Sequence, residues 1–208
     1  MKVDFMCRCF YSVYFSLVKK YVKGDKRKAV KKEYYDVFNR AGDIGADNRL
    51  LSAYALGAFF IAMCRKSGFD PEQCYEFLEN GFRNNKLVRP FLGSGNGYFD
   101  EKKMISRRQW SKFTHEKHYE NDWVVDIIEN KDGKEDFVMG YDYLECGVCK
   151  MFKAEGCFQW AKYLCKLDFL LVEVIGIGLK RTTTIAEGGS KCDFRFTAAK
   201  EGVISAEK

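Results

Sequence analysis

The stretch WVVDIIENKDGKEDFVMGYDY, from Trp123 to Tyr143, decides what kind of fold this chain builds. Trp123–Glu129 is rich in β-branched residues and reads as a strand. Asn130–Lys134 has turn chemistry around Asp132-Gly133. Asp136–Tyr143 then reads as the returning strand, so the stretch predicts an antiparallel hairpin. The N-terminal side of this hairpin has helical spacing, and the C-terminal side mixes short helices with strands. The expectation is an α+β fold: a helical N-terminal half, then a mostly antiparallel sheet with short inserted helices.

Working back from the hairpin, a polar helix is expected over Asp100–Tyr119, carrying the chain's two histidines, His115 and His118. Their spacing of three could place both on one face as metal ligands, but no acid or cysteine pattern completes a zinc motif, so exposed histidines are expected. Gly93–Gly97 is a connector; it lacks the Gly-Lys-Ser/Thr of a phosphate loop. Asp70-Pro71-Glu72-Gln73 is a helix start, with a capping acid and Pro at the first position, and that helix should end before Pro90. Asp47 or Asn48 can cap the preceding helix, whose Leu50, Leu51, Tyr54, Ala55, Ala58, Phe59 and Ala62 mark it as the centre of the core, ending near Gly68. Gly42 to Gly45 is a loop, Glu33–Arg40 is helical, and residues 3–22 form an amphipathic helix. The basic run from Lys19 to Lys32 would suit an anionic partner, nucleic acid or membrane surface. No recognition motif accompanies it, so a solvated helix face is the expectation and nucleic-acid binding is not.

With 47% hydrophobic and 16% aromatic residues, the chain can bury a sizeable core, which excludes a disordered protein. At 208 residues, one domain spanning 1–208 is expected, with 1–120 helical and 121–200 holding the sheet and the cysteine-rich helices. A net charge of +6 is enough for solubility but not a nucleic-acid signature. Asp4 and Arg8 interrupt the apolar start, so no secretory signal is expected, and Leu50–Met63 is too short for a membrane span. Nine cysteines, an odd number, point to thiols that are free or metal-bound in a reducing cytoplasm rather than to a disulfide scaffold. Many of them should be small buried hydrophobes.

Five of those nine lie between Glu145 and Phe196. Cys146–Lys153 and Phe158–Leu164 read as two short helices broken at Gly156. Asp168–Val172 reads as a link, Glu173–Ile185 as a long strand, Glu187–Ser190 as a turn, and Lys191–Ala198 as the returning strand. The tail from Lys200 is expected to fray. Cys146 and Cys149 form C-x-x-C at a helix start, a pattern that serves either a divalent metal such as zinc or a redox dithiol. Cys157 and Cys165 do not repeat that spacing, so the metal stays open.

The same stretch resembles the L-2-amino-thiazoline-4-carboxylic acid hydrolase family. The resemblance rests on Glu145-Cys146 followed by Cys149, on Cys165-Lys166-Leu167-Asp168, on Arg181-Thr182-Thr183-Thr184-Ile185-Ala186-Glu187-Gly188-Gly189, and on Cys192-Asp193-Phe194-Arg195-Phe196. It also resembles, at the level of fold alone, the 4-vinyl reductase type of small-molecule-binding domain. The family resemblance implies opening of a 2-aminothiazoline-4-carboxylate-like ring to a carbamoyl-cysteine-like product. That reaction needs attack on the carbon between nitrogen and sulfur, a proton for the leaving atom, and a clamp for the carboxylate. The candidates are Cys192 as nucleophile or metal ligand and Asp193 as proton relay. Arg181 or Arg195 would hold the carboxylate, Thr182 and Thr184 would donate hydrogen bonds, and Cys146, Cys165 and Asp168 would line the pocket. A non-catalytic small-molecule sensor on the same fold is the alternative. A homo-oligomer is left open.

Strand alternation puts Cys192 with Phe194 and Phe196 on one face and Asp193 with Arg195 on the other. If Ile185 pairs with Lys191, Cys192 joins Thr182 and Thr184; shifted by one residue, it joins Arg181 and Thr183.

Overall fold

The computed structural model describes residues 5–44, 49–85, 95 and 97–198. Among them are seven α-helices and four strands. The N-terminal half is α1 (Phe5–Val18), α2 (Asp25–Arg40), α3 (Leu51–Lys66), α4 (Pro71–Asn84) and α5 (Glu101–His115). Strands β1 (Val124–Glu129) and β2 (Met139–Glu145) come next, then α6 (Gly147–Ala154) and α7 (Ala161–Ile175), then β3 (Gly178–Lys180) and β4 (Cys192–Thr197). Short 3₁₀ turns at Phe158–Trp160 and Ile185–Glu187 lead into α7 and out of the β3 region. The fold is α+β, as the hairpin implied. The helix that starts at Pro71 ends at Asn84, before Pro90 as expected. The expected caps at Asp47 or Asn48, most of the 93–97 connector and the tail from 200 lie outside the described residues.

α3 is the centre of the core. From Tyr54 to Met63 it has no exposed residue, and Tyr54, Phe59, Phe60, Ile61 and Met63 are completely buried. Truncating Phe60 to alanine there would cost about 3–5 kcal/mol. Gly57 lies where a Cβ would strike the Met151 side chain, so its lack of one lets α6 seat against α3. Buried tyrosines are held by backbone carbonyls: Tyr14 donates to Ser52 O (2.7 Å), Tyr34 to Cys7 O (2.9 Å) and Tyr54 to Ala41 O (2.5 Å). α4 begins with the capping box expected of it: Asp70 accepts from the Gln73 amide (2.8 Å), and Gln73 accepts from the Asp70 amide (3.2 Å). Arg65 on α3 meets Glu155 at the end of α6 (2.7 Å) and Glu33 on α2 (2.9 Å), tying three helices together. No described helix is long and apolar enough to cross a membrane.

The four strands form one antiparallel sheet in the order β1-β2-β4-β3. Val125 pairs with Tyr143, and Tyr143 with Cys192; Tyr141 pairs with Phe194, and Phe196 with Leu179. These residues share one face, turned toward the core, where Trp110 of α5 packs edge-on against Tyr141. Asp126, Asp142, Asp193 and Arg195 share the other.

One expected strand is not there. Residues 168–175 continue α7, and only Gly178–Lys180 of the Glu173–Ile185 segment joins the sheet. Leu164, Leu167 and Leu170 are buried at spacings of three, which is a helical stripe. The β-branched Val172, Val174 and Ile175 suggest a strand locally, but packing of that stripe overrides their preference. Gly176, with φ of 82°, takes the left-handed conformation that closes the helix. The expected break between Leu164 and Asp168 is likewise absent, because the 3₁₀ turn at Phe158–Trp160 runs straight into α7.

Candidate functional site

The site lies where the inner face of β4 and the chain leaving β3 meet α7. The β3–β4 pairing, Lys180 opposite Arg195, is the shifted register of the two that alternation allows. It carries Arg181 onto the core-facing side with Cys192, while Thr182 falls opposite Asp193. Arg181 is nearly enclosed, its side chain 5% exposed. It donates to the Asp168 carboxylate (2.6 Å) and to the Cys165 carbonyl (2.8 Å), both one turn apart on α7. The rings of Phe169 and Phe194 lie 4.8 and 5.0 Å from its guanidinium.

A cavity of about 170 Å³ opens beside this pair. Arg181 and Cys165 line it, with Lys162, Lys166 and Phe169 from α7 and Thr182, Thr183, Thr184 and Glu187 from the loop after β3. Three cations thus face a single carboxylate, Glu187, whose oxygen accepts from the Thr184 hydroxyl (2.7 Å). An anionic guest suits that balance.

Asp168 stands out among the acids. Burial raises its carboxyl from 3.8 to about 6, against the opposing pull of Arg181. Its side chain is still 35% exposed, so solvent reaches it and moderates the desolvation.

Behind the Asp168–Arg181 pair is a group of thiols. Cys146 is the N-cap of α6, and its sulfur accepts the Cys149 amide (3.5 Å). A hydrogen bond from the Cys149 thiol, helped by the Cys149 and Val148 amides, lowers the Cys146 thiol despite burial, while Cys149 is raised in return. Burial raises Cys165, with the charge of Asp168 adding to it. Cys192 is pushed up to about 11 by burial, although the Ile185 amide donates to its sulfur (3.2 Å). Cys146, Cys165, Cys192 and Asp168 are close enough that ionising one opposes ionising the others. None of the nine cysteines is in a disulfide.

The structure therefore brings together Arg181, Asp168, Cys165, Cys146 and Cys192 from the residues singled out in the sequence. Thr182 and Thr184 reach the cavity wall through the loop. Asp193 and Arg195 go elsewhere. Asp193 accepts from the Thr182 amide (2.9 Å), the Thr182 hydroxyl (2.6 Å) and the Thr183 amide (2.7 Å) on the outer face. Arg195 meets Asp142 (2.8 Å). Lys162 and Phe169 carry no sequence signal of a site, because a lysine and an apolar ring on a helix read as a solvated face and core packing; Lys166 and Glu187 lie inside the Cys165–Asp168 and Arg181–Gly189 motifs but are not among the candidates there. His115 and His118 pair with Asp126 and Glu116 at the surface. Among the described residues no three His, Cys, Asp or Glu side chains converge as a metal ion requires.

No curated protein and no solved structure matches this chain. The family model for L-2-amino-thiazoline-4-carboxylic acid hydrolase matches residues 48–196, which take in α3, all of the sheet but the last residue of β4, and every residue of the cavity. Because that match spans most of the chain and contains the site intact, the chain belongs to the L-2-amino-thiazoline-4-carboxylic acid hydrolase family.

Proposed function

We propose that this protein is a hydrolase that opens a small cyclic amidine of the 2-aminothiazoline-4-carboxylate type to a carbamoyl-cysteine-like product. The observation that carries this reading is Asp168: a carboxyl raised to about 6, fixed by a buried arginine at the wall of a small cationic cavity. A group of that pKa accepts a proton near neutral pH and gives it back.

In this reading the substrate carboxylate meets Lys162, Lys166 and Arg181, and the ring lies against the Thr182–Thr184 segment, whose Thr182 and Thr184 hydroxyls donate to Asp193 and Glu187. Asp168 takes a proton from water as its oxygen adds to the carbon between nitrogen and sulfur. The ring bond to that carbon then breaks, the electron pair leaves on the ring heteroatom, and the proton on Asp168 goes to it. Atoms balance as substrate plus one water. Cys192 does not make the attack, because a thiol raised to about 11 is protonated at neutral pH.

The experiment is incubation with 2-aminothiazoline-4-carboxylate and related cyclic thioureas, with mass spectrometry of the product. A product one water heavier, lost in Asp168→Asn, is expected. Unchanged turnover in that variant removes Asp168 from the mechanism. Binding of these compounds without turnover assigns the protein to the non-catalytic sensor class instead.

A further inference from the structure

The basic run that reads as solvated surface is organised in the folded protein. Arg8, Ser12, Ser16 and Lys19 of the α1 segment face Arg27 and Lys31 of α2 across a groove of about 370 Å³, floored by Tyr11, Phe15 and Tyr35. This is more than twice the volume of the cavity beside Asp168. It lies before residue 48, outside the part of the chain that the family model covers.

Three observations show that this groove is unlike the rest of the surface. First, its lining holds four cations and no carboxylate. The acids of α2 are turned to other partners: Asp25 to Lys28 (3.7 Å), Asp36 to Lys32 (2.5 Å) and Glu33 to Arg65 (2.9 Å). Among the described residues no ion pair uses Arg8, Lys19, Arg27 or Lys31. Four like charges around one hollow repel one another, and an anion relieves that repulsion. Second, the Tyr11 hydroxyl is buried without a hydrogen-bond partner among the described residues, whereas Tyr14, Tyr34 and Tyr54 each donate to a carbonyl. A buried hydroxyl left without a partner is costly, and an acceptor from outside the chain removes that cost. Third, the floor is aromatic, with the Arg27 guanidinium 4.8 Å from the Phe15 ring and Lys31 5.8 Å from that of Tyr11. Rings beneath fixed cations accept a flat or apolar group beside an anionic one.

We propose that the α1–α2 groove binds a phosphomonoester carried on a small planar group, of the size and chemistry of a nucleoside monophosphate. Arg8, Arg27 and Lys31 hold the phosphate, the Tyr11 hydroxyl donates to it, and the aromatic floor takes the attached group; the Ser12 and Ser16 hydroxyls, which donate to the Arg8 and Val13 carbonyls, only line the groove. A concave site of this volume is in the range of small-molecule pockets. The site is independent of the proposed hydrolase centre.

The test is calorimetry on the full chain at low salt with AMP, inorganic phosphate and adenosine. AMP should saturate one site more tightly than either half, with affinity falling as salt rises. The double variant Arg8→Gln/Lys31→Gln should weaken AMP at least tenfold, and Tyr11→Phe severalfold, while both keep the wild-type circular dichroism. Asp168→Asn should leave AMP binding unchanged. The proposal is overturned if neither AMP nor phosphate saturates, if AMP binds no better than phosphate, or if the double variant binds AMP as well as wild type. Binding only to anionic vesicles or to oligonucleotides would overturn it too, by assigning the cations to an extended surface.

Discussion

β4 has two faces, and they use the same residue types for opposite ends. On the outer face Asp193 and Asp142 are carboxylates with every demand met: three donors from the Thr182–Thr183 loop for one, Lys191 and Arg195 for the other. On the inner side Asp168 has one cation, a desolvating wall and a hollow beside it. The difference lies in what surrounds each carboxyl. Donors and water fix the charge of Asp193 and leave it inert, while burial without enough donors leaves Asp168 ready to exchange a proton.

The largest expected effect tests the inner side. Asp168→Asn should lower kcat roughly 10²- to 10⁴-fold with the fold retained, since the amide still accepts from Arg181 but no longer moves protons. Steady-state turnover and urea melts together check this. An activity loss matched by unfolding would erase the contrast. Asp193→Ala should do the reverse, costing about 1–3 kcal/mol of stability by freeing the Thr182–Thr183 loop, with kcat changed only a few fold. Cys192→Ala leaves the Ile185 amide without its acceptor and should cost about 1–2 kcal/mol, whereas Cys192→Ser restores an acceptor and most of the stability. If both Cys192 variants lose all turnover, the thiol and not Asp168 is the reacting group.

The smallest effect is in pH. Asp168 binds its proton more tightly in the native state, between its ordinary value of 3.8 and about 6, so its contribution to stability falls as pH rises through that window. Asp193 has the opposite sign. Partial burial pushes its carboxyl up, but its donors, led by the Thr182 hydroxyl, outweigh that and lower it. Its contribution is therefore complete above 3.8 and is lost as pH falls below it. Stability curves of Asp168→Asn and Asp193→Asn against wild type should diverge in opposite directions on acidification.

How much of this is legible in the chain depends on the range of the signal. The Asp70/Gln73 capping box, the β1–β2 hairpin and the central position of α3 are local or periodic, and each stands where its pattern puts it. Alternation alone narrows the register of β4 to two choices, and the ladder takes the one that buries Arg181. The α7 segment misleads because Val172, Val174 and Ile175 favour strands locally, while the deciding contacts come from elements distant in sequence. The roles of Lys162 and Lys166 are hidden for the same reason: only the loop after β3, folded back over α7, turns a solvated helix face into a cavity wall.

That loop is pinned along its first half, by Arg181 to α7 and by Asp193 and Cys192 of β4 at Thr182, Thr183 and Ile185, while Thr184 and Glu187 line the cavity. On the proposed function, changes at Thr184 and Glu187 leave the Asp168–Arg181 pair on α7 in place, so a preference for another heterocycle would come from rewriting that short segment rather than from remaking the core.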